Sequence, residues 1–373
     1  ATVPGNGTEG FLSGTLIPAS GVFTGKLLIG GLTQSFKATF YGDGSALFSV
    51  PGGRQPVLVF GDRSLTLSYN GGEIAATLTL AGDVSEGVSR RGLHSGLNKV
   101  PVTGPLSRGT YTVVFPAKAQ TPALPLTDYP QGDGYATLKL ADTGKVTVSG
   151  VLADGTVFTA SSEIVAGAQS PVFAQLVTPG ASAKNKGGSF GGTLAFDTTQ
   201  TDTDVSGADL LWFRPAVTEL PGSTTAAKAT QLYTGGWPQG IVVAAVGALY
   251  NNTPKVQTTL ALPAVDTVNG NGQLDFSGGK LIGDVMVTAF NISGSAVKGI
   301  PATKTTFTLT LTQGSGAFKG GFTPNWANPA TAKPAFKGIL LQKGANRGGY
   351  GFFISNAVGD LDPESGSARL GVP

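Results

Sequence analysis

Hydrophobic and polar residues alternate with a period of two wherever the chain is not glycine or proline. Phe36, Ala38 and Phe40 fall on one face, with Lys37 and Thr39 on the other. Leu65, Leu67 and Tyr69 repeat the pattern, followed by Ile74, Ala76, Leu78 and Leu80, and much later by Phe307, Leu309 and Leu311. Successive side chains of a strand point to opposite sides, so this pattern predicts half-buried antiparallel strands. Threonine is the usual outward residue, as its β-branch suits a pleated surface. The single helix candidate, Ser223 to Leu232, is short, and very little helix is expected.

Glycine at 57 positions and proline at 23 suit many short strands joined by tight turns rather than long elements. Asp43-Gly44, Asn70-Gly71, Asp133-Gly134 and Asp154-Gly155 each lie between alternating runs and predict type I′ hairpins, with positive φ at both central residues. The stretches Pro116 to Pro130 and Arg214 to Gly235 read as longer connections, and Ala81 to Gly104 as a linker.

One pattern repeats. Ser20-Gly21-Val22-Phe23-Thr24-Gly25 returns as Ser315-Gly316-Ala317-Phe318-Lys319-Gly320, and each copy is followed by a strand opening Phe-Lys, at Phe36-Lys37 and Phe336-Lys337. A looser copy runs from Gly144 through Gly150 to Phe158. In this reading the first glycine closes a turn and the phenylalanines Phe23, Phe36, Phe318 and Phe336 enter the core. The later glycines, Gly25 and Gly320, let the strand bend or bulge. Meanders of this kind bury a face by closing into a barrel or stacking as a sandwich. The predicted fold is therefore all-β, with two or three antiparallel meander units over residues 1–100, 105–216 and 230–373. Two arrangements fit the third unit, one independent and one sharing a core with the second.

Composition narrows the chemistry. Only 13% of residues are charged and the formal net charge is +3, so no phosphate-tracking basic face and no nucleic-acid partner is expected. The absence of cysteine excludes disulfides, thiolate metal sites and a cysteine nucleophile. A cysteine-free chain rich in glycine and threonine, opening Ala1-Thr2-Val3-Pro4, suits an extracellular or cell-surface protein after signal-peptide removal. The longest apolar run, Ile241 to Tyr250, falls short of the roughly 20 residues a spanning helix needs. A membrane β-barrel would need strands of about 9 to 11 residues, longer than those predicted.

The motifs Gly132-Asp133-Gly134-Tyr135-Ala136-Thr137-Leu138, Leu152-Ala153-Asp154-Gly155-Thr156, Leu211-Trp212-Phe213-Arg214-Pro215 and Phe336-Lys337-Gly338-Ile339-Leu340-Leu341-Gln342 stand in that order. Over about residues 105–357 the chain resembles a C-terminal region common in large secreted proteins of verrucomicrobial-type bacteria. The resemblance implies an exported cell-surface β-protein with no assigned chemistry, so it transfers no catalytic residue.

Candidate chemistry is sparse. His94, the one histidine, lies in a Gly/Ser-rich loop without a motif-placed Ser or Asp. Thr267 to Asp275 has the asparagine and glycine spacing of a calcium loop but no acid at its first position, and reads as an Asn-Gly hairpin. Asn6, Asn251 and Asn291 match the glycan acceptor pattern and read as loop residues. Trp326, between two prolines, and Trp237 are candidate exposed aromatics that could stack on a sugar.

The expected function is therefore that of a non-enzymatic structural protein without cofactors. It would be a self-associating subunit of a surface filament or layer, whose partners are other copies of itself. Phe11, Leu12 and Leu16, in a stretch that could add as a strand to the next copy, are its candidate contacts. A glycan-binding module working through Trp237 or Trp326 is the alternative, with a glycoside hydrolase third. Gly21, Phe23, Gly25, Phe36, Gly316, Phe318, Gly320 and Phe336 are expected to be structural.

Overall fold

The computed structural model describes residues 10–121, 123–177, 188–216, 232–300, 306–330, 332–359 and 362–372. The chain is all-β. The helix candidate Ser223 to Leu232, apart from Leu232, lies outside the described residues, as do Ala1 to Pro4 and Asn6. One helical turn, Val256–Thr259, and a few 3-10 turns are the helices among the described residues. No described helix is long and apolar enough to cross a membrane.

Nine strands form the first unit. A five-stranded meander holds β1 (Gly10–Ile17), β2 (Val22–Ile29), β3 (Leu32–Phe40), β4 (Ala46–Val50) and β5 (Gly53–Gln55). A four-stranded one holds β6 (Leu58–Phe60), β7 (Arg63–Asn70), β8 (Glu73–Leu80) and β9 (Asp83–Arg90). Both sheets turn their apolar faces to one core, where Phe23, Ala38 and Phe48 of the first meet Leu65, Ile74 and Leu78 of the second. The Tyr69 N–H donates to the Gly44 carbonyl at 2.8 Å and ties them together. The expected linker from Ala81 therefore begins with a hairpin: β9 pairs with β8 along its length, and the connection starts only after Arg90.

Two eight-stranded sheets follow, each curled into a nearly closed barrel. The first comprises β10 (Gly109–Phe115), β11 (Gly134–Leu140), β12 (Lys145–Val151), β13 (Val157–Glu163), β14 (Gln169–Gln175), β15 (Ser189–Phe196), β16 (Val205–Arg214) and β17 (Trp237–Leu249). The second comprises β18 (Gly272–Gly278), β19 (Val285–Ser293), β20 (Ala296–Gly299), β21 (Phe307–Thr312), β22 (Ala317–Phe322), β23 (Ala335–Leu341), β24 (Gly348–Ile354) and β25 (Ser365–Gly371). Neighbours in sequence are neighbours in space, and the first strand of each barrel pairs with its last: β10 with β17, and β18 with β25. Each has one seam. In the first barrel it is drawn together by a Val165–Gln169 bridge and a 2.6 Å contact between the Ser162 and Ser170 hydroxyls. In the second barrel β20 and β21 share no ladder.

The boundary expected between residues 216 and 230 falls inside the first barrel. Its physical cause is β17, which fills the place between β10 and β16 and carries Ile241, Val243 and Ala245 into that barrel's core. Separate cores also answer whether the last two units share one: Phe276, Phe318, Phe336 and Phe353 belong to the second barrel alone. The barrels pack through β10 and β11 against β23 and β24. Val114 meets Ile339 and Leu341 there, while Val151 and Ala153 meet Phe352. The Thr112 hydroxyl donates to the Leu340 carbonyl at 2.7 Å inside this interface.

Strand lengths correct one expectation. β16 spans 10 residues and β17 spans 13, as long as membrane strands. The outer face of β11 to β13 nevertheless carries Thr137, Lys139, Thr147, Ser149, Thr159 and Ser161, where a membrane barrel needs an apolar band.

The turns also differ from the predicted type. Between β7 and β8 the two residues at positive φ are Gly71 (58°) and Gly72 (92°), one step beyond the predicted Asn70-Gly71 pair. At Asp43-Gly44 and Asp154-Gly155 only the glycine has positive φ. The aspartate carboxylate accepts the N–H two residues on, from Ser45 and Thr156 respectively, closing the turn by a side chain. Asp133-Gly134 is no hairpin turn, because Gly134 opens β11.

Candidate functional site

The repeated glycines and phenylalanines are core positions, but the expected bend is absent. Gly25 lies opposite Phe36, Gly150 opposite Phe158 and Gly320 opposite Phe336, each in an unbroken ladder without a bulge. The ring of each phenylalanine occupies the space over its glycine. A Cβ on Gly25 would come within 2.4 Å of Phe36 Cζ, one on Gly150 within 2.8 Å of Phe158 Cε1, and one on Gly320 within 2.6 Å of Phe336 Cζ. These glycines serve close approach rather than curvature. Gly21 (φ 65°) and Gly316 (φ 72°) do close turns as expected. Phe23 and Phe318 are buried beside them.

Both candidate exposed aromatics are buried. Trp326 is 5% exposed, donates from its indole N–H to the Gly279 carbonyl at 2.9 Å and packs near Phe353. Trp237 is 3% exposed, edge-on to Trp212 and Tyr233 and under the Arg214 guanidinium. The prolines around Trp326 shape a loop that folds the ring inward, so neither tryptophan offers a face to a sugar.

The calcium-like stretch is also accounted for from within. Asp266 accepts the Val268 and Asn269 N–H groups, and the buried Asn271 side chain bonds Pro263 and Ile292, so the segment is a turn entering β18 rather than a hairpin. Asn291, read as a loop residue, lies within β19, is 6% exposed and exchanges hydrogen bonds with the Asp266 backbone. No cluster of three or more potential metal-binding side chains occurs among the described residues.

Three buried carboxylates carry the strongest electrostatics, and each faces a cation. Asp154 pairs with Arg214 at 2.7 Å, both nearly inaccessible, within the first barrel. Asp204 of the first barrel contacts Lys343 of the second and accepts the Leu249 N–H. Asp133 lies 3.1 Å from Arg369 across the same interface, and burial pushes its carboxyl up to about 6 because the half-exposed guanidinium compensates only in part. A cavity of about 160 Å³ adjoins this last pair, walled by Val114, Val246, Leu341 and Tyr350. It is smaller than the roughly 300 to 1,000 Å³ of ordinary ligand pockets. The first two pairs act as structural clamps, whereas Asp133 is only partly compensated by Arg369.

The sheet edges present backbone that no ladder pairs among the described residues. Among the described residues, eight strands end a sheet: β1, β5, β6, β9, β13, β14, β20 and β21. Proteins normally guard such edges with charge, proline or brevity. Arg54 lies in β5, Asp83, Glu86 and Arg90 in β9, Glu163 in β13, Pro171 in β14 and Lys298 in β20, while β6 has 3 residues. The two remaining strands, β1 with 8 residues and β21 with 6, contain neither charge nor proline.

Of the predicted contacts on β1, Leu12 and Leu16 turn inward onto the first core. Phe11 stacks on Phe173 of β14, with ring centroids 6.2 Å apart. None of the three is a free contact. What β1 presents is its backbone edge with Ser13, Thr15 and Ile17, a feature that only strand order could reveal. Compared with known proteins, the chain matches no family model, no curated protein and no solved structure.

Proposed function

We propose that this protein is an exported structural subunit that associates with copies of itself at the cell surface by adding strands edge to edge. The observation that carries this reading is β1, an eight-residue edge strand with no charge and no proline. Its outer N–H and C=O groups have no ladder partner among the described residues. An edge of this kind templates pairing with another chain. The low charge and the absence of cysteine support a sheet-built extracellular assembly. Because β1 is already held by β2, the strand contributes its free side rather than leaving its own sheet.

Negative-stain electron microscopy and light scattering of the purified chain test the proposal. Filaments or layers are expected, with assembly weakened by Ser13→Lys/Thr15→Lys, which place two charges on the exposed face of β1. A chain that stays monomeric at every concentration overturns it.

A further inference from the structure

Self-association through one edge needs an acceptor, and the strand census singles one out. We infer that the free edge of β1 in one copy pairs with the free edge of β21, at the seam of the second barrel, in the next. This inference rests on the self-association proposed above and names its partner surface.

Three observations converge. First, β1 and β21 are the two edge strands without charge, proline or extreme shortness, so pairing them buries no ion and loses no backbone donor to proline. Any other long edge would bring a charge or proline into the new ladder, including Pro171 on β14 and the three ionisable residues of β9.

Second, the two strands have matching faces. On β1, Leu12 and Leu16 point to the core while Ser13 and Thr15 point outward. On β21, Leu309 and Leu311 pack against the core while Thr308, Thr310 and Thr312 are exposed. Side by side, the leucine rows extend one apolar face. The hydroxyl rows form the serine and threonine cross-strand pairs that favour sheet pairing.

Third, the two barrels share a strand order but differ at their seams. The first seam is drawn together by the Val165–Gln169 bridge and the Ser162–Ser170 contact. At the second, β20 has only 4 residues against the 6 of β21, and no ladder joins them. Among the described residues, the outer edge of β21 therefore pairs with no strand. Since β1 and β21 are different surfaces, their pairing is heterologous and propagates into a ring or an open filament, with no two-fold dimer to stop it.

The chain has no cysteine, so engineered thiols report this contact without background. Thr15→Cys in one preparation is mixed with Thr308→Cys, Thr310→Cys or Thr312→Cys in another, the three acceptor positions allowing for register. Mild oxidation is followed by non-reducing gels, with electron microscopy in parallel. The expected result is a disulfide-linked dimer of Thr15→Cys with one or two of the three acceptors, severalfold above either variant alone. Thr310→Lys is expected to abolish it while leaving circular dichroism unchanged.

Assemblies visible by microscopy but without these cross-links overturn the β1–β21 contact and leave self-association standing. Cross-linking of Thr15→Cys to itself shows β1 pairing with β1 and likewise overturns it. Absence of assembly by every variant and by the unmodified chain overturns both readings.

Discussion

Phe336 lies across the ladder from Gly320, and its ring fills the space a side chain on that glycine would take. The same relationship joins Phe36 to Gly25 and Phe158 to Gly150 in the other two units. Each unit thus carries at least one cross-strand position where backbone packs directly against an aromatic ring.

Adding a methyl group at these glycines should therefore be costly. Gly25→Ala is expected to destabilise the first unit by about 1–3 kcal/mol through overpacking. Gly320→Ala should cost more, because its Cβ would also meet the Thr308 carbonyl oxygen at 1.8 Å. Urea unfolding followed by circular dichroism measures both, with tryptophan fluorescence as a second readout for Gly320→Ala only. Partial recovery in Gly25→Ala/Phe36→Leu would assign the loss to the ring.

Arg214 and Asp154 form an ion pair with no useful access to water. Removing one partner leaves a buried charge uncompensated, so Arg214→Ala should cost about 3–5 kcal/mol. Replacing both with apolar residues, as in Arg214→Met/Asp154→Leu, should cost clearly less. The thermal unfolding midpoints of the three variants are the measurement.

The raised carboxyl of Asp133, at about 6, gives stability a defined slope with pH. The folded state favours the neutral acid, so the penalty from this group is absent below about pH 4, where both states are protonated. It grows as pH rises towards 6, and is complete at pH 7. Asp133→Asn should therefore be more stable than the parent at pH 7 and no more stable at pH 4. Urea midpoints of both proteins at the two pH values give the comparison, which cancels the opposite slope of Asp197, held near 2 by Thr199 and Gln200.

All three tryptophans are buried: Trp212 at 2%, Trp237 at 3% and Trp326 at 5% exposure. Emission should be blue-shifted and weakly quenched by acrylamide. Trp326→Ala should destabilise the second barrel by about 3–5 kcal/mol. Strong quenching of the native protein would show an exposed indole and contradict this packing.

The strands were legible where one face is buried and the other wet. The alternation at Phe36 to Phe40 and at Leu65 to Tyr69 appears in the structure as β3 and β7. The repeat of glycine and phenylalanine was visible too, but not its purpose. Whether Gly25 bends a strand or receives a ring depends on the register that sets it against Phe36, and register is a property of two strands. The apolar run from Ile241 lacks the alternation of a half-buried strand because β17 is covered on both sides, by its own core and, at Val246, by the second barrel. The proline-rich segment before it marks a boundary in composition, while the ladder closes across it. Trp237 and Trp326 are buried where exposure is expected, because neighbouring prolines indicate a loop but not what the loop folds against.

The pairing of first strand with last has a consequence for synthesis. Tyr111 waits for Leu249 before the first barrel can seal, and Gln273 waits for Gly371 in the second. Closing such long loops is entropically slow, so each barrel passes through an unsealed stage as the chain emerges. Each barrel is also one continuous stretch of sequence, so the first can finish before the second begins. A chain interrupted after Leu249 leaves a finished barrel, whereas one interrupted before Trp237 leaves β10 and β16 as raw edges. The order in which the polypeptide appears thus becomes the order in which its sticky surfaces are withdrawn.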